Sequence, residues 1–240
     1  MIVIQFLRSM VFHVVIYVGM VIVAIGFLPW MLVDKRGGHA ACHAWCYFVF
    51  WCARWIIGLK CEVRGTPPTD EVLVASKHQS FLDIIMIYGA MPRGKFIMKK
   101  EILYTPIVGQ YGMRIGCIPV DRGKRGVAIK KMVADVAAGR SDPGQLIIFP
   151  QGTRVPVGEK RPYKIGSAVL YRELNQDCVP VAVNVGVTWP SHGLIRHSGT
   201  AVVEFLPRIK PGLTTDEFME RLETTIEAAS DRLAAEALGK

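Results

Sequence analysis

The chain has 240 residues, 51% of them hydrophobic and 20% charged, and a formal net charge of +9. Its positive mean hydropathy of +0.30 is high for a wholly water-dissolved chain of this length and places part of it in lipid. The six cysteines form no C-x-x-C pair, which excludes a disulfide scaffold, and the chain lacks the zinc-finger spacing, aromatic RNA-binding signature or lysine-rich tail that would direct its basic charge to nucleic acid.

The apolar surplus lies at the front. Residues 10–33 carry no formal charge, His13 being their only ionisable side chain, and a run of that length crosses a bilayer core of about 30 Å. A cleaved secretory signal is the competing reading, because Arg8 precedes the run, but no A-x-A-like site closes it. After the break DKRGGH (34–39) a second apolar segment, 41–59, carries Trp45, Trp51 and Trp55 with Arg54. Rings and a basic head recurring in this way fit a helix in or near a membrane interface, and spanning, re-entry and a flat lie all satisfy the pattern. Residues 1–58 are therefore expected as a membrane-seated helical pair. Within them His39, Cys42, His43 and Cys46 have the i, i+3, i+4, i+7 spacing of a metal-ligating helix face, but such small polarisable residues are ordinary packing elements of apolar helices. No metal is expected.

From Lys60 onward the pattern changes. Four of the 29 basic and one of the 20 acidic residues lie before that point, which leaves +6 on the remainder, a charge suited to an anionic membrane surface or a phosphorylated substrate. Short β-branched runs alternate with helical stretches, the mark of an α/β domain over 59–240. The expected strands are CEVRG, VLVAS, KFIM, CIPVD, QLIIF, VPVAVNV and AVVEFL, and the expected helices cover 81–89, 101–111, 126–138 and 167–174. In the tail, Phe218, Leu222, Ile226, Ala229 and Leu233 have near-helical spacing behind a capping box at Thr214 and Glu217. The reduced thiols place this domain on the cytoplasmic side.

Residues 77–87, KHQSFLDIIMI, carry the first candidate chemistry. On one straight helix His78 and Asp83 would point about 140° apart, at roughly 100° per residue. Ser80 and Asp83 have the spacing of an N-cap and its acidic partner, so the helix is expected to start at Ser80. His78 then stands in the preceding loop while the Asp83 carboxylate points back toward it. A carboxylate on one ring nitrogen fixes the tautomer and leaves the other nitrogen to accept a proton, which is a Ser-His-Asp device without its own serine. The nucleophile would be a hydroxyl of the substrate. A histidine capping a strand end is the plain alternative.

FPQGTR (149–154) follows the strand QLII at its carboxyl end, where open α/β sheets place ligands. Gly152 allows close backbone approach, Thr153 offers a hydroxyl and an amide, and Arg154 a guanidinium fork matched to phosphate. Arg122 stands at the end of the strand in CIPVDRGKRG, ahead of the solvated cluster Lys124 and Arg125, as a candidate second arm of a phosphate clamp.

These blocks, in this order, resemble the glycerolipid acyltransferase family over most of residues 60–210. The resemblance implies a mixed α/β sheet flanked by helices, with His78 and Asp83 as the catalytic pair and Arg122 as an acceptor-binding residue. It implies phosphate-facing roles for Gly152, Thr153 and Arg154, and an acyl-site wall at the strand that holds Val179, Pro180 and Val181. Where the family's third block carries glutamate this chain has Gln151, which keeps the length, loses a charge and gains a donor. The implied reaction moves a fatty acyl group from a thioester, acyl-CoA or acyl carrier protein, to the sn-2 hydroxyl of 1-acyl-glycerol-3-phosphate (lysophosphatidic acid), giving phosphatidic acid. Implied too are contact with membrane lipids, no cofactor beyond the thioester co-substrate, no nucleic-acid partner, and a place in the inner (cytoplasmic) membrane with the domain facing the cytoplasm. Two rivals stand beside it: acylation of another lysolipid, such as lyso-ornithine lipid, and a non-catalytic lipid-binding protein of the same fold. A lipid esterase is disfavoured because no G-x-S-x-G elbow is present.

Overall fold

The computed structural model describes residues 2–120 and 143–239. Helix α1 (Ile2–Val33) has 32 residues and at 1.5 Å each rises about 48 Å, more than a hydrocarbon core. Only Asp34 separates it from α2 (Lys35–Cys52), which it caps by accepting from the Arg36 amide at 2.9 Å. Gly37 makes the reversal possible, since a Cβ there would lie 2.6 Å from the Met31 nitrogen. Helix α2 returns alongside α1, with Trp45 Nε1 donating to the Ile16 carbonyl at 3.1 Å. It then runs through a π turn (Ala53–Ile57) that Gly58 closes at φ 71°. Both helices are long and apolar enough to cross a membrane. Helix α1 also leaves Val14, Val18, Ile22 and Ile25 exposed along one stripe, an uncovered apolar face that points to membrane association.

Seven strands follow: β1 (Leu59–Arg64), β2 (Leu73–Ser76), β3 (Gly94–Lys99), β4 (Ile118–Val120), β5 (Gln145–Ile148), β6 (Cys178–Val183) and β7 (Gly199–Phe205). They form one sheet in the order β1-β7-β6-β2-β5-β3-β4. Neighbours are parallel except β6 and β7, which are antiparallel. The sheet is mixed, as expected, and every strand falls on an expected segment.

Both faces are covered, so the central strands read as near-continuous apolar runs. On one face Val74, Ile147 and Val203 pack with Phe12 and Ile16 of α1, Val49 of α2 and Ile85 of α3 (Leu82–Ala90). The other face, with Leu73, Ala75 and Leu146, packs against Leu170 of α5 (Gly166–Leu174) and Phe218, Leu222 and Ile226 of α6 (Thr215–Leu238). The N-terminal helical pair thus shares the sheet's core. The α6 capping box is formed in both directions, Glu217 N donating to Thr214 Oγ1 and Thr214 N to Glu217 Oε2.

Two expectations change. The helix expected over 101–111 is instead a short 3-10 turn (Lys100–Tyr104) followed by α4 (Val108–Arg114). Pro106 supplies no amide and drives Thr105 out of the helical region, to φ −76° and ψ 121°, and Ile107 turns the chain at φ 66°. The helix expected to start at Ser80 starts at Leu82 with Phe81 in the cap position. The helix expected over 126–138 lies outside the described residues.

One buried ion pair ties the sheet to α6. Lys77, 1% exposed, donates to Glu227 Oε2 at 2.6 Å, and the Tyr163 hydroxyl donates to the other carboxylate oxygen at 3.0 Å. Removing one partner of such a pair costs about 3 kcal/mol or more, whereas replacing both with apolar groups is often neutral. Unfolding in detergent micelles should therefore show Lys77→Met destabilised by about 3 kcal/mol, with much of that loss recovered in Lys77→Met/Glu227→Leu. Additive losses would contradict the pairing.

Candidate active site

Strands β2 and β5 lie side by side and parallel, Ala75 opposite Ile148, so the segments that leave their carboxyl ends emerge next to each other. The first carries His78 and the second Phe149–Arg154. Backbone and side-chain bonds lock them: Val155 N donates to the His78 carbonyl at 2.7 Å, and His78 N donates to Gln151 Oε1 at 3.3 Å. The His78 ring lies flat on Phe149, with centroids 4.0 Å apart and planes at 20°.

His78 Nδ1 and Asp83 Oδ1 are 2.9 Å apart. The other Asp83 oxygen accepts from the amides of Gln79 and Ser80, each at 2.8 Å, and Asp83 is fully buried in the first turn of α3. Burying a carboxylate is costly unless its lone pairs are met. Here three donors meet them, and the N-terminal end of the helix dipole adds to that support. The expected cap is therefore realised in part: Asp83 accepts from the Ser80 amide, while Ser80 Oγ accepts from Leu82 N at 3.2 Å. With Nδ1 turned to the carboxylate, Nε2 is the nitrogen left for a substrate proton.

His78 lies on the wall of a cavity of about 1060 Å³, the size of a site for a large ligand. Its wall is mostly apolar and draws on every layer of the front half of the chain, including Met20 and Ala24 of α1, Trp45 of α2, Phe81, and Ile85 of α3. Lys99, Lys164 and Glu173 bring charge to it. No activated thiol is present among the described domain cysteines: burial pushes Cys61 up to about 12 and Cys117 up to about 11, and raises Cys178 as well.

The other candidates divide. Gln151 is buried beside His78 with its Nε2 unpartnered among the described residues. Gly152 lines the cavity and holds φ 67°, a conformation glycine favours. Thr153 is half-buried in the same turn. Arg154 is exposed and directs Nη1 to the Ser191 carbonyl at 3.5 Å, and it does not line the cavity. Pro180, expected at an acyl-site wall, is buried within β6 opposite Ala75 and is likewise away from the cavity. Arg122 lies outside the described residues. His39 and His43 in α2 turn to the Tyr88 hydroxyl at 2.9 Å and the Pro92 carbonyl at 3.4 Å. Two residues were missed: Phe149, whose ring supports His78, and Lys164. Phe149 was legible as the aromatic that ends strand QLII, whereas Lys164 sits ten residues beyond the motif and reaches the site only through a long loop.

Comparisons with known proteins bear on the family and the fold. The family model described as Acyltransferase matches residues 60–184. A 1-acyl-sn-glycerol-3-phosphate acyltransferase of Pseudomonas aeruginosa is 30% identical over 165 residues, 68% of this chain and 64% of that protein. The alpha form of an enzyme with that name from Homo sapiens is 30% identical over 170 residues, 68% of this chain and 60% of its own length. The chain thus spans less than two thirds of these relatives. The crystal structure of the 1-acyl-sn-glycerophosphate (LPA) acyltransferase PlsC from Thermotoga maritima has the same fold, with a TM-score of 0.80 at 18% identity over 96% of this chain and 97% of that one. With a family model that takes in both the His78–Asp83 pair and the FPQGTR turn, this chain belongs to the acyltransferase family.

Proposed function

We propose that the protein transfers a fatty acyl group from an acyl thioester, acyl-CoA or acyl carrier protein, to the sn-2 hydroxyl of 1-acyl-glycerol-3-phosphate, giving phosphatidic acid. The observation that carries this reading is the imidazole pinned at Nδ1 by a buried carboxylate, on the wall of a large apolar cavity. His78 Nε2 takes the hydroxyl proton as the oxygen attacks the thioester carbonyl carbon. The carbon–sulfur bond then breaks, and the imidazolium returns the proton to the leaving thiolate. Asp83 holds the ring and stabilises its charged form. The carrier thioester is the co-substrate, and the chemistry calls for no further cofactor.

Residues 1–58 act in this reading as the membrane seat and 59–240 as the catalytic domain. Support comes from the exposed apolar stripe of α1 and from the cavity wall, to which both helices contribute. The lipid acceptor can then reach the cavity from the bilayer. Lys35 and Arg36 at the turn between the helices, and the basic domain, suit the cytoplasmic face of an inner membrane. A second reading, acylation of a lysolipid without a phosphate monoester, is favoured by the direction of Arg154, which turns to Ser191.

Replacing His78 by alanine should lower transfer by on the order of 10²–10⁴-fold, with the protein still folded and membrane-bound; retained activity would remove the base. Asp83→Asn should also fall, because an amide offers the ring nitrogen a choice of tautomer. Gln151→Glu keeps the acceptor for the His78 amide and should stay within about tenfold of wild type, whereas Gln151→Leu removes it and should lose more. Purified protein assayed in detergent with labelled acyl-CoA and a panel of lysolipids should prefer the phosphate monoester; indifference to that group would favour the second reading.

A further inference from the structure

We propose that residues 99–114, from the end of β3 to the end of α4, form a second membrane contact of this protein, docked on a lipid bilayer surface beside α1. The proposal goes beyond the acyltransferase reading and takes from it only the membrane seat of α1. The segment carries Tyr104, 77% exposed, and Met113, 49% exposed, and neither lines the cavity. Single exposed apolar side chains are ordinary. These, however, belong to a segment bonded along the C-terminal half of α1. The Tyr111 hydroxyl donates to the Ala24 carbonyl at 2.6 Å, and Arg114 donates to the carbonyls of Met31 and Leu32 at 2.8 and 3.1 Å. Trp30 and Leu32 of that half are exposed as well, so uncovered apolar side chains stand on both of two bonded elements.

A fixed turn holds the exposed side chains in place. The Pro106 carbonyl accepts from Val108 N at 2.7 Å across Ile107, at φ 66° and ψ −61°, a γ-turn of the strained hand that a β-branched residue rarely adopts. It sends Ile107 inward against the cluster of Ala24, Met31 and Tyr111 and leaves Val108 exposed. Gly109 closes the turn: its amide donates to the Thr105 carbonyl at 2.9 Å, and a Cβ there would lie 2.2 Å from the Leu103 oxygen. Strain of this kind persists only where the surroundings fix it, so the surface is built rather than frayed. Charge fits the same partner. Lys99 pairs with Glu101 at 3.0 Å, and Lys100 and Arg114 are the basic surplus of the segment, which suits anionic headgroups. Arg114 sits at the carbonyl end of α1 next to Trp30 in sequence order, and a ring with a guanidinium is the composition of a membrane interface.

The test uses the full chain in vesicles of phosphatidylethanolamine and phosphatidylglycerol, with nitroxide labels at Tyr104→Cys and Met113→Cys. Ile22→Cys, in the exposed stripe of α1, reports the seat, and Lys210→Cys, in the charged cluster around Asp177, serves as the aqueous reference. Each native cysteine is buried or half-buried, and wild-type protein carried through the labelling supplies the background. Relaxation by oxygen should exceed relaxation by a water-soluble nickel chelate at Tyr104, Met113 and Ile22, with the order inverted at Lys210. Chelate-dominated relaxation at Tyr104 and Met113, with Ile22 in lipid, would leave this surface to a protein partner and overturn the proposal alone. Lipid readings at Tyr104 and Met113 with Ile22 in water would keep this contact and remove the seat of α1. In a second measurement, Tyr104→Asp/Met113→Asp should slow transfer to vesicle-borne lysolipid by on the order of tenfold, while transfer to a short-chain lysolipid dispersed in water stays within about twofold. Equal slowing on both acceptors would mark a structural role and contradict the contact. The label readings need no catalysis, so a protein that transfers no acyl group would remove the acyltransferase reading and leave this contact standing.

Discussion

A carboxylate with no access to water organises the site. Asp83 accepts from the His78 ring and from the amides of Gln79 and Ser80, and each of those bonds fixes a different part of the loop that leaves β2. Without them the buried charge would be unsupported and would cost several kcal/mol. The same contacts that make the charge tolerable orient the imidazole, so stability of the loop and placement of the base have one cause. Phe149 completes the arrangement from the other side: its ring limits the tilt of His78, and its strand neighbours the one that carries the histidine.

The sheet explains why these segments meet. Five strands, β6, β2, β5, β3 and β4, run in one direction, so their carboxyl ends share one edge, and loops from adjacent strands are neighbours whatever their separation in the chain. The N-terminal pair then closes the apolar side. Phe12, Ile16 and Val49 enter the core that also holds Val74 and Ile147, and Met20 and Trp45 face the cavity. The helices that suit lipid therefore also shape the space beside the base, which couples membrane seating to access.

How much of this could be read from the residues follows from the range of each interaction. The central strands were legible because burial on both faces leaves no polar alternation to confuse them, and β1 by the opposite sign, a regular alternation of apolar and charged residues. The meeting of His78 and Asp83 was legible because it is local and set by a helix start, although the start falls at Leu82. The broken helix over 101–111 carried its own signal in Thr105-Pro106, where the proline forbids the preceding helical turn. Lys77 reads as a surface lysine at a strand end, and nothing nearby reveals that its partner is 150 residues away in α6. The direction of Arg154 and the burial of Pro180 inside β6 depend on tertiary packing that no motif encodes. Pro180 fits there because its carbonyl, accepting from Leu206 N at 2.9 Å, faces the end of β7, so the missing amide removes no bond to β2.

The central claim is that the carboxylate holds the Nδ1 proton and leaves Nε2 bare. Nitrogen chemical shifts of ¹⁵N-histidine-labelled protein, with the His78 signals assigned by their loss in His78→Ala, report the tautomer directly. In the neutral imidazole, the account predicts a protonated, pyrrole-type Nδ1 and an unprotonated, pyridine-type Nε2, a pattern that Asp83→Asn disturbs. A proton found on Nε2 in the wild-type protein would contradict it.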